Sequence, residues 1–303
     1  MGSALIARAE QPIRSWQWQD LVTLGKPRVV LVMLACALVG MALAVPGLPP
    51  LGAMIFGLVG IGLAASGAAA FNHVLDRRLD AMMLRTSRRP VASRRLPTPL
   101  ALAWACLLSM CGIGLLMWQV NMMTAWLTLA SLIGYALIYT AFLKRATPQN
   151  ITIGGLAGAA PPLLGWTAVS GEVHPDALLL VLIVFAWTPP HFWALAIHKR
   201  DEYARAKVPM LPVTHGEAFT RLQIWLYGWL TVAITLLPFA TGMAGPVYLV
   251  GVTVLNLRFM LWNWRVWRGH DPKAPIAAFW FSIRYILGLF ALLLLDHYAG
   301  LLG

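Results

Sequence analysis

Nine apolar stretches of about 20 residues occupy most of the chain after residue 28. They lie near residues 29–46, 51–71, 99–118, 122–142, 151–169, 177–197, 222–241, 244–262 and 276–296. A helix of about 20 apolar residues is about 30 Å long and crosses the hydrocarbon core of a bilayer. Of the 303 residues, 59% are hydrophobic and 11% are charged, whereas soluble domains carry about 25% charged residues. The sequence excludes an ordinary soluble enzyme and predicts an all-α polytopic membrane protein.

The positions of Lys and Arg predict the orientation in the membrane. Of 23 such residues, 21 lie before the first stretch or in every second connection, and only Arg258 and Arg284 lie inside stretches. Cytoplasmic segments of membrane proteins carry this excess. We therefore expect a bacterial inner-membrane protein with its N-terminus in the cytoplasm and its C-terminus outside. Residues 1–28 form the predicted cytoplasmic segment and residues 29–303 the membrane domain. The net charge of +12 follows this topology, so no nucleic-acid partner is expected.

Three polar residues spaced by four follow the second stretch, namely Asn72, Asp76 and Asp80. On a helix each step of four turns by only about 40° away from the previous side chain, so all three share one face. Two acids on one stripe repel each other unless a cation lies between them. Mg²⁺ commonly binds one or two carboxylates together with substrate phosphates. The spacing predicts a Mg²⁺ site, and the alternative is a solvated cytoplasmic helix.

Basic residues accompany this stripe. Arg77, Arg85 and Arg89 lie in the same loop, and Lys144 and Arg145 fill the next basic connection. Guanidinium groups bind phosphate oxygens through paired hydrogen bonds. Acids for a metal beside cations for oxyanions indicate a diphosphate–Mg²⁺ complex. Each cation is also explained by topology alone.

A second polar cluster spans residues 188–212, after the sixth stretch. Pro189 and Pro190 predict an interruption of the helix, because proline lacks the backbone donor of an inner helical turn. His191 follows them inside the apolar run, where a polar group is functional by default.

The same cluster continues with His198, seven residues after His191 and on nearly the same helical face, and Glu202 lies one turn further. Asp201 flanks Glu202. With the first motif, this cluster predicts a pocket that opens to the cytoplasm and to lipid.

These residues resemble a known family. Asn72-x-x-x-Asp76-x-x-x-Asp80 resembles the first aspartate-rich motif of the UbiA-type intramembrane prenyltransferases. DAMMLRTSRRP, LKRATPQNITIGGLAGAAPPLLGW and TPPHFWALAIHKRDEYARAKVPMLPV resemble the heme-farnesylating branch of that family. The resemblance runs from about residue 23 to the end of the chain. It implies about nine transmembrane helices around a central pocket that opens on the cytoplasmic side.

The resemblance also implies a reaction. Farnesyl diphosphate would give its farnesyl group to the 2-vinyl group of protoheme IX (heme b), and addition of water would leave heme O for terminal oxidases. Mg²⁺ is the implied cofactor, farnesyl diphosphate and heme b are the substrates, and the lipid bilayer surrounds them. A heme A synthase or a terminal-oxidase assembly factor is the implied protein partner.

The roles that follow from the resemblance can be assigned to residues of this chain. The implied metal ligands are Asn72, Asp76 and Asp80, and the implied catalytic residues are these three together with Asp201 and Glu202. The implied diphosphate ligands are Arg77, Arg85, Arg89, Lys144, Arg145 and Lys199. The implied heme contacts are His191 and His198. The second motif departs from the wider family, which commonly has paired aspartates four apart where this chain has Lys199-Arg200-Asp201-Glu202-Tyr203. Lys199 is therefore expected to bind a phosphate.

Two other interpretations remain open. A prenyltransferase with a different acceptor, such as a quinone-ring precursor, would use the first motif equally well. A transporter or a heme-handling assembly factor would show inverted repeats and broken helices at the membrane midplane. The polar residues here gather at one membrane face, which favours an active site that opens to one side.

Overall fold

The computed structural model describes residues 16–300, apart from the side chain of Arg145, so residues 1–15 of the predicted cytoplasmic segment lie outside it. The described residues are almost entirely helical and contain no strand. The helices are α1 (Trp18–Leu24), α2 (Pro27–Leu43), α3 (Leu51–Leu75), α4 (Arg77–Met82), α5 (Thr98–Gln119), α6 (Met122–Ile133), α7 (Asn150–Gly158), α8 (Pro161–Ser170), α9 (Pro175–His198), α10 (Arg200–Arg205), α11 (Leu211–Thr214), α12 (Gly216–Ala240), α13 (Pro246–Arg268) and α14 (Ala274–Gly300). The all-α prediction is confirmed.

Every predicted apolar stretch coincides with helical structure, but the expected number of spans is not confirmed. Within residues 16–300, six helices are long and apolar enough to cross a membrane, or seven if α1 and α2, which meet at 45°, form one span. The fifth stretch is divided into α7 and α8, and α13 contains three arginines and two asparagines. The count of nine therefore stays a prediction.

Helix α9 runs without interruption through Pro189 and Pro190, so the expected break is wrong. Pro190 has no N–H to donate to the carbonyl oxygen of Ala186, four residues earlier. The Thr231 hydroxyl of α12 lies 3.0 Å from that oxygen and 2.7 Å from the Tyr227 carbonyl oxygen of its own helix, so the two oxygens share its one proton. A neighbouring helix thus partly compensates the bond that the sequence alone shows as lost.

Small residues let two helix pairs approach backbone to backbone. A Cβ on Gly165 of α8 would lie 1.8 Å from the carbonyl oxygen of Ala37 on α2, and one on Gly40 would lie 1.9 Å from that of Pro162. Between α3 and α5, a Cβ on Gly112 would lie 2.6 Å from a backbone nitrogen. Such contacts replace part of the hydrophobic driving force that lipid does not provide.

These approaches predict opposite effects for two Gly→Ala changes. Gly165→Ala should lower the free energy of unfolding by about 1–3 kcal/mol, because the new methyl overlaps a backbone oxygen. Gly114→Ala in α5 should leave it unchanged or raise it by up to about 1 kcal/mol, because nothing lies within 4 Å and alanine favours helix. Unfolding of both purified variants in detergent measures the difference. Equal effects would contradict the close approach of α2 and α8.

Candidate active site

The acidic stripe lies where α3 passes into α4. Asp76 separates the two helices, yet its N–H donates to the Asn72 carbonyl oxygen at 2.9 Å and the Asp80 N–H donates to the Asp76 carbonyl oxygen at 2.8 Å. This i→i−4 pattern keeps the three residues in helical register across the junction. All three are buried, and Asp76 has no exposed surface.

Each residue of the stripe has a cation from a different part of the chain. Lys144 Nζ lies 2.5 Å from Asp76 Oδ2, and Arg89 Nη1 lies 2.9 and 2.8 Å from the two Asp80 oxygens. Lys26 Nζ donates to Asn72 Oδ1 at 2.5 Å. The structure therefore gathers predicted site residues from two basic connections, together with a lysine from the segment before α2.

The sequence did not reveal Lys26 as a site residue; its position contributed only to the predicted orientation in the membrane. Lys26 adopts a left-handed conformation with φ of 47° at the start of α2, and this turn points its side chain to α3. Burial, aided by the charges of Arg89 and Lys144, lowers its pKa to about 7, while Asp80 and Asp76 act in the opposite direction. Lys26 lies 46 residues before Asn72, and no sequence motif indicates that the two residues are in contact.

Thr140 is a second residue that the sequence did not reveal. After α6 the chain forms a π-helical segment, Gly134–Leu143, before a last turn at Lys144–Ala146. In this segment the Thr140 hydroxyl donates to the Tyr135 carbonyl oxygen at 2.9 Å and accepts from Asn72 Nδ2 at 3.3 Å. π-Helical turns are frequent at functional sites because they reorient side chains, and this one precedes Lys144.

The donor set fits a divalent cation held jointly with a phosphate. Asp76 Oδ1 is buried and has no hydrogen-bond partner among the described residues, so this oxygen has a free ligand position. Within residues 16–300 no group of three or more His, Cys, Asp or Glu forms a complete metal site. Mg²⁺ needs no such group when substrate phosphates and water complete its coordination. Asp76, Asp80 and the Asn72 amide oxygen are the residues that would hold it.

Two of the predicted diphosphate ligands, Arg77 and Arg85, have other partners and do not contact the acids of the stripe. Arg77 is exposed and donates to the carbonyl oxygen of Val74 at 3.0 Å, and the exposed Arg85 hydrogen-bonds the Tyr203 side chain. The side chain of Arg145 lies outside the described residues. Their role in binding the diphosphate stays a prediction.

The second motif packs against the first. Leu79 and Met83 share an apolar cluster with Tyr203 and Val208. Burial raises the pKa of the Tyr203 hydroxyl, although nearby Arg85 acts in the opposite direction. The two loops therefore form one surface at the same end of the helices.

Within this loop the predicted residues differ in their surroundings. Lys199 Nζ donates to Glu202 Oε1 at 2.9 Å, while Glu202 Oε2 is buried without a hydrogen-bond partner among the described residues. Asp201 is exposed. Lys199 is thus engaged with a carboxylate, and Glu202 is the more enclosed of the two acids.

His191 lies in an aromatic enclosure between α9 and α14. Its ring stacks on Trp187 at 4.3 Å and on Phe279 at 4.5 Å between centroids, and its Nδ1 lies 2.6 Å from Ser282 Oγ. These contacts fix the ring plane. A hydrogen bond at one ring nitrogen also orients the other nitrogen, which is how proteins fix histidines that bind metals. His198 is exposed, so the structure does not bring the two histidines into one enclosure.

Residues 33–293 match the UbiA prenyltransferase family model. The protein named protoheme IX farnesyltransferase 1 of Pseudomonas putida is 59% identical over 281 residues, which are 93% of this chain and 95% of that protein.

Solved structures share the fold at low sequence identity. One described as digeranylgeranylglyceryl phosphate synthase superposes with a TM-score of 0.78 at 13% identity, over 93% of this chain and 99% of the other. A UbiA homologue from Archaeoglobus fulgidus, solved with GPP and Mg²⁺, has a TM-score of 0.62 at 15% identity, over 90% and 99% of the two chains.

The contact between Lys144 and Asp76 predicts an energetic coupling. Lys144→Met should destabilise the protein, because it leaves a buried carboxylate without its cation. In the presence of Asp76→Asn the same change should cost less, since position 76 then has no carboxylate that needs a cation. We expect a coupling free energy of about 1–3 kcal/mol from unfolding of the four proteins in detergent without divalent cations. Additive effects would contradict the ion pair.

Proposed function

Because the chain belongs to the UbiA prenyltransferase family, we propose that it transfers the farnesyl group of farnesyl diphosphate to heme b. The proposed position is the 2-vinyl group, and addition of water to the resulting cation gives heme O. The arrangement of Asn72, Asp76 and Asp80 with three separate cations carries the proposal for the diphosphate. The name of the Pseudomonas putida relative and the three sequence strings support heme as the acceptor.

The basic residues are placed to stabilise the leaving group. When the C1–O bond of the farnesyl diphosphate breaks, its electron pair stays on the diphosphate, where negative charge increases. Lys144 and Arg89 now pair with Asp76 and Asp80. On arrival of the substrate these cations are free to turn to phosphate oxygens, where preorganised charge lowers the barrier. Mg²⁺ held by the two carboxylates would neutralise further diphosphate charge.

The acceptor half of the proposed reaction is assigned to the aromatic enclosure on α9. The vinyl π electrons form the new carbon–carbon bond, and the cation left on the adjacent carbon takes up water and releases a proton. His191 is the proposed contact for the heme, because Ser282, Trp187 and Phe279 hold its ring in one orientation. Apolar walls keep water from the farnesyl cation until the vinyl group has reacted.

The proposed site opens to the cytoplasmic side of a bacterial inner membrane. The support is the positive-inside pattern, since both motif loops lie in connections that carry Lys and Arg. Farnesyl diphosphate would then place its head between these loops and its apolar chain among the helices.

Product analysis tests the proposal directly. The purified protein in detergent is given reduced heme b, farnesyl diphosphate and Mg²⁺, and mass spectrometry follows the heme. We expect a heme heavier by one farnesyl group and one water, and no product after EDTA. Asp76→Asn and Asp80→Asn should each lower the rate by at least about 100-fold, the scale seen when charge stabilisation at a reacting centre is removed.

Glu172→Gln is the matched control, because it makes the same carboxylate-to-amide change in the exposed turn before α9, at the end of that helix opposite to His198. Its rate should equal that of the unmodified protein. Near-normal rates in both aspartate variants would exclude their role. Absence of product with folded protein would overturn heme as acceptor and direct the assay to quinone-ring precursors.

His191→Ala should weaken heme binding at least about tenfold, because the proposed contact between the imidazole and the heme is lost. Binding of farnesyl diphosphate should be unchanged. Titrations of heme by its visible spectrum and of the diphosphate by calorimetry separate the two effects. His270→Ala, in an exposed loop, controls for adventitious binding to histidine. Loss of diphosphate binding alone would show that the heme assignment is wrong.

A further inference from the structure

Two arginines lie deep along the neighbouring helices α13 and α14. Arg258 is ten residues before the end of α13 at Arg268, and Arg284 is ten residues after the start of α14 at Ala274. At 1.5 Å per residue both lie about 15 Å from the end that the two helices share. Both are exposed, although a charge at this depth would face hydrocarbon.

Among residues 16–300, no acid neutralises the two guanidinium groups. The sequence has no Asp or Glu between residues 246 and 270 or between 274 and 295. Among the described residues, neither Arg258 nor Arg284 takes part in an ion pair. Their charge is therefore available to a group outside the chain.

Further arginines extend this charge toward the membrane boundary. Arg265 and Arg268 follow Arg258 at intervals of seven and three on the exposed side of α13. The guanidinium groups of Arg258, Arg265 and Arg268 each lie over an aromatic ring, and these cation–π contacts keep the side chains along the helix surface. The contacts are Arg258 over Phe281 at 5.6 Å, Arg265 over Trp262 at 4.8 Å and Arg268 over Trp264 at 5.6 Å. We call Arg258, Arg265, Arg268 and Arg284 the arginine ladder.

Exposed tryptophans show where the ladder meets the lipid headgroups. Trp264, Trp267 and Trp280 are 42%, 41% and 58% exposed, and indole rings on a membrane protein surface gather at the headgroup level. Arg258 lies less than two turns below Trp264, and Arg284 lies about one turn below Trp280. Long arginine side chains reach from this depth to the boundary while their stems stay in apolar surroundings.

We propose that the arginine ladder binds an anionic phospholipid of the adjacent leaflet. The phosphate lies between the guanidinium groups of Arg258 and Arg284, which form charge-assisted hydrogen bonds to its oxygens. The acyl chains follow the exposed apolar residues of α13, which include Val250, Val254 and Leu257. Basic pockets between membrane helices bind anionic headgroups in this way.

Charge complementarity favours lipid over a second copy of this chain. A symmetric pair through this face would oppose two ladders of like charge without an intervening acid. A lipid phosphate instead supplies the negative charge at the depth where the guanidinium groups end.

Native mass spectrometry of the full chain, exchanged into phosphatidylcholine with added phosphatidylglycerol, tests the proposal. The unmodified protein should retain phosphatidylglycerol, and Arg258→Gln with Arg284→Gln should weaken retention about 30-fold. Arg88→Gln with Arg94→Gln removes the same charge from an exposed loop and should change retention little. Arg258→Lys with Arg284→Lys, which keeps the charge without the paired donors, should retain lipid to an intermediate degree.

Unfolding in neutral detergent checks that each variant is folded. Equal retention by the unmodified protein and a folded Gln pair would overturn the site. Equal weakening by both Gln pairs would overturn it too, since only general charge would then attract lipid. Co-purification of a membrane protein through this face, with phosphatidylglycerol unable to displace it, would assign the ladder to a protein partner instead.

Discussion

Two carboxylates buried at one end of a membrane bundle determine much of the arrangement around them. Asp76 and Asp80 are almost completely shielded, and an ionised acid in such surroundings requires nearby positive charge. The chain supplies it from the loop after α4 and from the end of the π-helical segment, while Lys26 satisfies the adjacent amide. Three connections that are far apart in sequence are thereby held at one point.

The same requirement links architecture to chemistry. Two acids already balanced by two cations suit the proposed metal–diphosphate complex, because Asp76 and Asp80 would hold the metal while Lys144 and Arg89 would bind the diphosphate. Net charge in the site then changes little on binding, so less desolvation energy has to be offset. Asp76 Oδ1, which has no hydrogen-bond partner among the described residues, is the oxygen that would be available to the metal without breaking an existing contact.

Local patterns were predictable from the sequence, and distant contacts were not. The spacing of Asn72, Asp76 and Asp80 predicted a shared register because helical geometry is set within a few residues. Lys26 and Thr140 could not be predicted, since their partners lie 46 and 68 residues away. The break expected at Pro190 was wrong because its compensation comes from Thr231 on another helix. The two histidines share a predicted face, yet packing against α14 encloses only His191.

The bond from Thr231 to the Ala186 carbonyl oxygen has a consequence for biosynthesis. Helix α9 leaves the ribosome well before α12, so during insertion the Ala186 carbonyl faces lipid or the translocation channel with no donor from its own helix. The Ala186 carbonyl gains this donor only when α12 packs against α9. The complete hydrogen bonding of α9 is therefore a property of the assembled pair of helices and not of α9 alone.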